Sequence, residues 1–156
     1  MTKTETAQEI ENWLAQEMLG EMDSNGFLAL FTEMCSRIDK SLFPLFRCHI
    51  TMQTLHTFFN HNDYSWYRSG QLNVNALPRS QESRDSWKQS PLFPMLENLL
   101  SELRLDLKDQ EIVGKYPLFQ DLEPFKVTDY FALLFPFGEY RKSVEQKDGL
   151  MMSWIT

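Results

Sequence analysis

The stretch Phe46-Arg47-Cys48-His49-Ile50-Thr51-Met52 decides the fold class. Phe46, Cys48, Ile50 and Met52 alternate with Arg47, His49 and Thr51, the period of two required of a strand that turns one face to a core. Just downstream, Tyr64, Trp66 and Arg68 alternate again, Ser69-Gly70 supplies turn chemistry, and Leu72, Val74 and Ala76 alternate on the return, which predicts a hairpin. Upstream of the break at Pro44 the period changes. Ile10, Trp13, Leu14 and Met18 recur at helical spacing ahead of Gly20, and a second apolar stripe, from Phe27 and Leu28 through Phe31, Met34 and Cys35 to Ile38, follows a cap at Asp23 or Ser24.

The second half of the chain continues in mixed fashion. Residues 78–85 are polar and read as a loop. Ser90-Pro91 has the order of an N-cap followed by proline at the first helical position, and Leu92, Leu96, Leu99 and Leu100 then share a face. Leu103, Leu105 and Leu107 alternate with charged residues as in a short strand. Pro117 opens a short helix carrying Leu118, Phe119, Leu122 and Phe125. Strands are expected at 129–137 and 150–156, with a charged loop at 139–148 between them. Clustered strands with helices at the start and in the crossovers predict a single α+β domain over residues 1–156, an antiparallel sheet covered by helices. PAS and GAF sensor domains share this plan, and GAF is closer because helices precede the first strand. The last strand stops without a turn or polar tail, so the reading is the front part of a longer protein with its chemistry downstream.

Composition narrows the function classes. The 156 residues are 42% hydrophobic and 13% aromatic, enough for one substantial core. A formal charge of -7 argues against a general nucleic-acid binder, since phosphate neutralisation needs a basic face. The polar start lacks the apolar core of a signal peptide, and no stretch has the length of a transmembrane helix, so a cytoplasmic location is expected. Cys35 and Cys48, with no CxxC spacing, read as reduced core thiols rather than a disulfide or metal pair.

Candidate chemistry is sparse. His49 lies on the polar side of the first strand, His56 at its end, and His61 near Asp63. No His-x-x-x-His pair or zinc spacing accompanies them, and joint ligation by His56, His61 and Asp63 is unspecific. There is no Gly-x-Ser-x-Gly elbow and no glycine-rich phosphate loop, so neither a catalytic residue nor a cofactor is expected in this chain. The aromatic residues Tyr64, Trp66, Tyr67, Trp87 and Phe93 serve either as core or as the walls of an apolar pocket. For the pocket, the candidate ligand-binding residues are His56, Trp66, Arg68 and Tyr130. The stripe Ile10, Trp13, Leu14 and Met18 serves either as an internal packing face or as the interface of a homodimer.

Several short strings stand in a familiar order: Arg47 and Thr54-Leu55-His56, Trp66 with Arg68, Ser90-Pro91-Leu92-Phe93, Leu103-Arg104, Pro117-Leu118 before Asp121-Leu122, Thr128-Asp129-Tyr130-Phe131-Ala132-Leu133, and Ser153-Trp154-Ile155-Thr156. The series resembles the N-terminal region of bacterial class III adenylate/guanylate cyclases. Thr57, Val127 and Ile155 depart from the pattern, standing where proline, glycine and a small residue are usual. The resemblance implies a GAF-like regulatory and dimerisation domain, non-catalytic by itself. It further implies a downstream catalytic domain that converts ATP to cyclic AMP with a divalent metal, Mg or Mn. Two other readings remain: a stand-alone cytosolic interaction module such as an effector or adaptor, and a small-molecule or metal-dependent enzyme using His56 and nearby acids.

Overall fold

The computed structural model describes residues 2–53, 59–98, 100–136 and 149–156. Helix α1 (Lys3–Glu17) begins with a capping box. The Glu5 N–H donates to Thr2 Oγ1 at 3.3 Å, and the Thr2 N–H donates back to Glu5 Oε2 at 2.6 Å. Helix α2 (Ser24–Ser41) is capped by Asp23, whose Oδ1 accepts from the Gly26 N–H at 2.7 Å. Glycine suits that position, because a Cβ on residue 26 would meet Met22 Cγ at 3.0 Å.

Strands β1 (Arg47–Gln53), β2 (Phe59–Tyr67) and β3 (Leu72–Pro78) form an antiparallel meander. The β2–β3 turn places Gly70 at φ 88°, a conformation open to residues without a Cβ. Helices α3 (Gln81–Lys88) and α4 (Leu92–Glu97) lead to β4 (Glu102–Asp106). Then α5 (Gln110–Lys115), α6 (Pro117–Leu122) and a 3-10 turn (Glu123–Phe125) lead to β5 (Asp129–Pro136) and β6 (Gly149–Ile155). The sheet order is β3-β2-β1-β6-β5-β4, every pairing antiparallel. The chain therefore leaves one edge of the sheet at β3 and re-enters at the opposite edge at β4. This crossing carries α3 and α4 over one face.

The α+β expectation holds, with the two N-terminal helices, the antiparallel sheet and the crossover helices in the anticipated order. The sheet is covered on both sides. On one face Cys48, Ile50, Trp66 and Met152 pack with Phe31, Cys35 and Leu45 from α2 and the segment after it. On the other, Tyr130, Ala132, Leu134, Met151 and Ile155 pack with Leu92, Met95, Val113, Phe119 and Leu122. Both cysteines are free and buried in the first of these cores, and burial pushes the Cys48 thiol pKa up.

Some boundaries differ from the sequence reading. Residues 81–88, expected within or beside a polar loop, form α3. That helix buries no residue and is held locally, the Ser83 N–H donating to Ser80 Oγ at 3.1 Å, so no apolar stripe announced it. Arg68 lies beyond the end of β2, Leu107 beyond β4, and Phe125 in the 3-10 turn rather than in α6. Leu100 falls outside α4, and Leu99, Phe137 and the 139–148 loop lie outside the described residues.

Ile155 is 0% exposed and sits on β6 between β1 and β5, whereas Val74 on the edge strand is 51% exposed. Ile155→Ala is expected to cost about 2–5 kcal/mol in urea unfolding and Val74→Thr no more than about 0.5. Equal losses would contradict this placement of the core.

A polar cavity between sheet and crossover

A strand covered on both faces is ordinarily apolar on both. β1 is not. Arg47, His49 and Thr51 point to the crossover side, opposite Tyr67, Ser65 and Asp63 of β2 in the antiparallel register. Ser153 of β6 adjoins them opposite His49. A polar strip thus continues the same sheet face that β5 and β6 fill with apolar side chains.

Each member has an identifiable environment. Arg47 is only 8% exposed; its Nη2 donates to Ser65 Oγ at 3.0 Å and its Nε to Tyr67 Oη at 3.2 Å. Its Nη1 is buried without a hydrogen-bond partner, and no carboxylate pairs with it among the described residues. Beside it, His49 Nε2 stands 3.7 Å from Asp63 Oδ1, beyond hydrogen-bonding distance but close enough for Coulombic attraction. Burial drives the His49 pKa below its ordinary value, Asp63 opposing and Arg47 adding to the effect. Burial alone would raise the Asp63 pKa, but His49, Thr51 and His61 together hold it below the usual carboxylate value. At neutral pH the pair is therefore a carboxylate beside a neutral imidazole. His61, two residues along on the same face, has a pKa lowered chiefly by burial.

Over this strip lies a cavity of about 430 Å³. His49, Thr51, His61 and Asp63 form its floor; Ser83, Ser86, Trp87 and Leu92 of the crossover form its roof; Leu77 and Pro78 close one side. Trp87 stacks on His61, the ring centroids 5.3 Å apart at 28°, and meets Phe93 edge-on at 6.4 Å. A larger hollow of about 960 Å³ lies between α1 and α2. It is an open groove with charged walls, in which Arg37 pairs with the exposed Glu33 at 2.8 Å and lies 4.2 Å from the centroid of the Trp13 ring. Convergent buried polar groups distinguish the smaller cavity, which makes it the stronger candidate.

The ligand-binding residues proposed from sequence are not gathered at one place. His56 lies outside the described residues. Trp66 points to the opposite face of the sheet and is buried in the core beneath α2. Arg68 is exposed and pairs through Nη2 with Asp39 Oδ1 at 2.7 Å, tying the hairpin turn to α2. Tyr130 does lie on the crossover side but is 1% exposed, packed edge-on against Phe119 at 5.1 Å. Burial raises its phenol pKa, with the Ser153 hydroxyl opposing.

In the interface stripe, Ile10 is 8% exposed on an α1 that packs against α2, Trp13 lies beneath Arg37, and Leu14 is half-buried; Met18 is 66% exposed. Asp63, Thr51 and Trp87 were missed as a group. The sequence marked Arg47, His49 and Thr51 as the polar face of a strand but carried no sign that the crossover would cover that face.

Among the described residues no group of three or more His, Cys, Asp or Glu side chains is arranged to hold a metal ion, and no helix is long and apolar enough to cross a membrane. No family model matches the chain, and no curated protein matches it.

The lowered pKa values of His49 and His61 set a pH dependence. Protons bind the unfolded imidazoles more readily than the folded ones, so stability is full above about pH 6.5 and falls as acidification carries the solution toward the folded-state values. Chemical denaturation between pH 7.5 and 5 should show this loss, with a slope of up to ~1.4 kcal/mol per pH unit for each group. His49→Gln should flatten the profile; an unchanged slope in that variant would remove His49 from the account.

Proposed function

We propose that this chain is a regulatory domain of GAF-like plan that binds a small molecule between its sheet and its β3–β4 crossover and performs no chemistry itself. The observation that carries the reading is the polar floor at His49, Thr51, His61 and Asp63 beneath a cavity of about 430 Å³. Burying a carboxylate oxygen of Asp63 without a donor costs stability. Such a cost is sustained where a bound group can return the missing interactions.

The resemblance to the N-terminal regions of class III cyclases supports the same reading from a separate direction. In that setting the domain is cytoplasmic and homodimeric, stands ahead of a catalytic domain that makes cyclic AMP, and leaves the divalent metals to that domain. Binding in the cavity then biases how the two catalytic halves meet, for which a coupling of about 1–3 kcal/mol is ample. The end of α1 offers the pairing surface, since Met18 and Leu19 are exposed while Ile10 is buried.

A second reading, a stand-alone interaction module, draws on an apolar hollow of about 390 Å³ where Phe43 meets the stacked rings of Phe131 and Trp154, centroids 5.6 Å apart.

Thermal denaturation of the chain against a panel of soluble metabolites separates the two. A ligand at a hundred times its Kd stabilises the fold by about 2.7 kcal/mol, a rise in Tm of roughly 5–10 °C for a domain of this size. His49→Gln should abolish that rise. A panel without a single stabilising compound would favour the interaction module. Sedimentation tests the pairing: Met18→Glu with Leu19→Glu should convert a dimer to monomers without lowering Tm, whereas a monomeric parent chain would exclude this surface.

A further inference from the structure

The cavity has a chemical preference. Asp63 is the carboxylate of its floor, and Glu82 adds a second acid from the crossover; among the described residues, no lysine or arginine lines it. Asp63 Oδ1 is fully buried and accepts no hydrogen bond, with His49 Nε2 at 3.7 Å. A buried carboxylate oxygen in this condition is strongly destabilising unless a donor reaches it. Arg47 and Arg79 act on the two floor imidazoles from outside the lining, and Arg47 is itself engaged by Ser65 and Tyr67. From the roof Trp87 lines the cavity with an indole that stacks on His61, and an electron-rich ring of this kind attracts cations.

Acceptor and aromatic surface therefore select for the same kind of ligand. On the premise that the cavity is the ligand site of a regulatory domain, we infer that the ligand carries a planar organic cation, such as an amidinium, a guanidinium or a protonated aminoheterocycle. Its N–H groups donate to Asp63 and its flat face lies against Trp87. A volume of about 430 Å³ is near the lower end of small-molecule sites, which run from roughly 300 to 1,000 Å³. It accommodates such a head with a modest substituent and excludes a polymer.

Three probes of nearly equal shape isolate the charge: benzamidine, benzamide and benzoate. Each is titrated into the 15N-labelled chain, with the Trp87 indole N–H and the Asp63 backbone amide as reporters. Benzamidine should move both signals, benzamide weakly and benzoate not at all. Asp63→Asn should weaken benzamidine roughly tenfold or more, the ratio expected for one charge-assisted hydrogen bond. Trp87→Leu, which leaves the floor intact, should weaken it several-fold and serves if Asp63→Asn fails to fold.

Benzoate binding at the same reporters as tightly as benzamidine, or benzamidine binding indifferent to both substitutions, overturns the inference while leaving a small-molecule site in place. Benzamidine that moves neither reporter also overturns it. The sensor reading itself is then decided by the metabolite panel, whose outcome does not depend on ligand charge.

Discussion

The antiparallel pairing of β1 with β6 is the constraint from which the rest of the architecture follows. These strands are the centre of the sheet, yet one stands at the start of the strand-forming sequence and the other at its end. β2 and β3 extend the sheet on one side by a local meander, and β5 and β4 extend it on the other. Only when β6 joins β1 do the halves become one surface, and only then do α4, α5 and α6 have a continuous face to cover. Such a long-range contact delays folding, because the closure entropy is spent before the ladder forms. Ile155 and Met152 are placed where that ladder faces the two cores, one on each side.

Much of this plan was legible in the residues. Strict alternation gave β1 and the hairpin, and the 3.6-residue stripes gave α1 and α2, because in each case a single apolar face imposes a single period. α3 was not legible for the complementary reason. It has no fully buried residue, only Trp87 packing against the core, and owes its form to a serine cap and local hydrogen bonds, so its sequence resembles that of a loop. The pairing order of the strands is likewise absent from local patterns, since a period of two reports which face is buried and not which neighbour lies alongside.

The site was half legible. His49 and Thr51 were seen as the polar face of a strand, and polar faces of strands are usually wet. What made this one dry is the crossover from β3 to β4, a fact of topology rather than of any residue in β1. Trp66 and Tyr67 show the same limit from the other side. They are adjacent in sequence and similar in chemistry, yet Trp66 is core beneath α2 while Tyr67 receives a hydrogen bond from the buried Arg47. Aromatic content announced that cavities and cores would be built, and register alone allotted each ring to one or the other.

The double covering of β1 has a mechanical corollary. Its His49 and Thr51 side chains floor the cavity and its Cys48 and Ile50 side chains are wedged beneath α2, so the two environments are separated by one layer of backbone. Peptide planes and fixed bond lengths leave little slack within a paired strand. His49 on the cavity side and Cys48 and Ile50 beneath α2 are consecutive residues of one paired strand, and α1 in turn rests on α2. A single strand is thus a wall of both compartments.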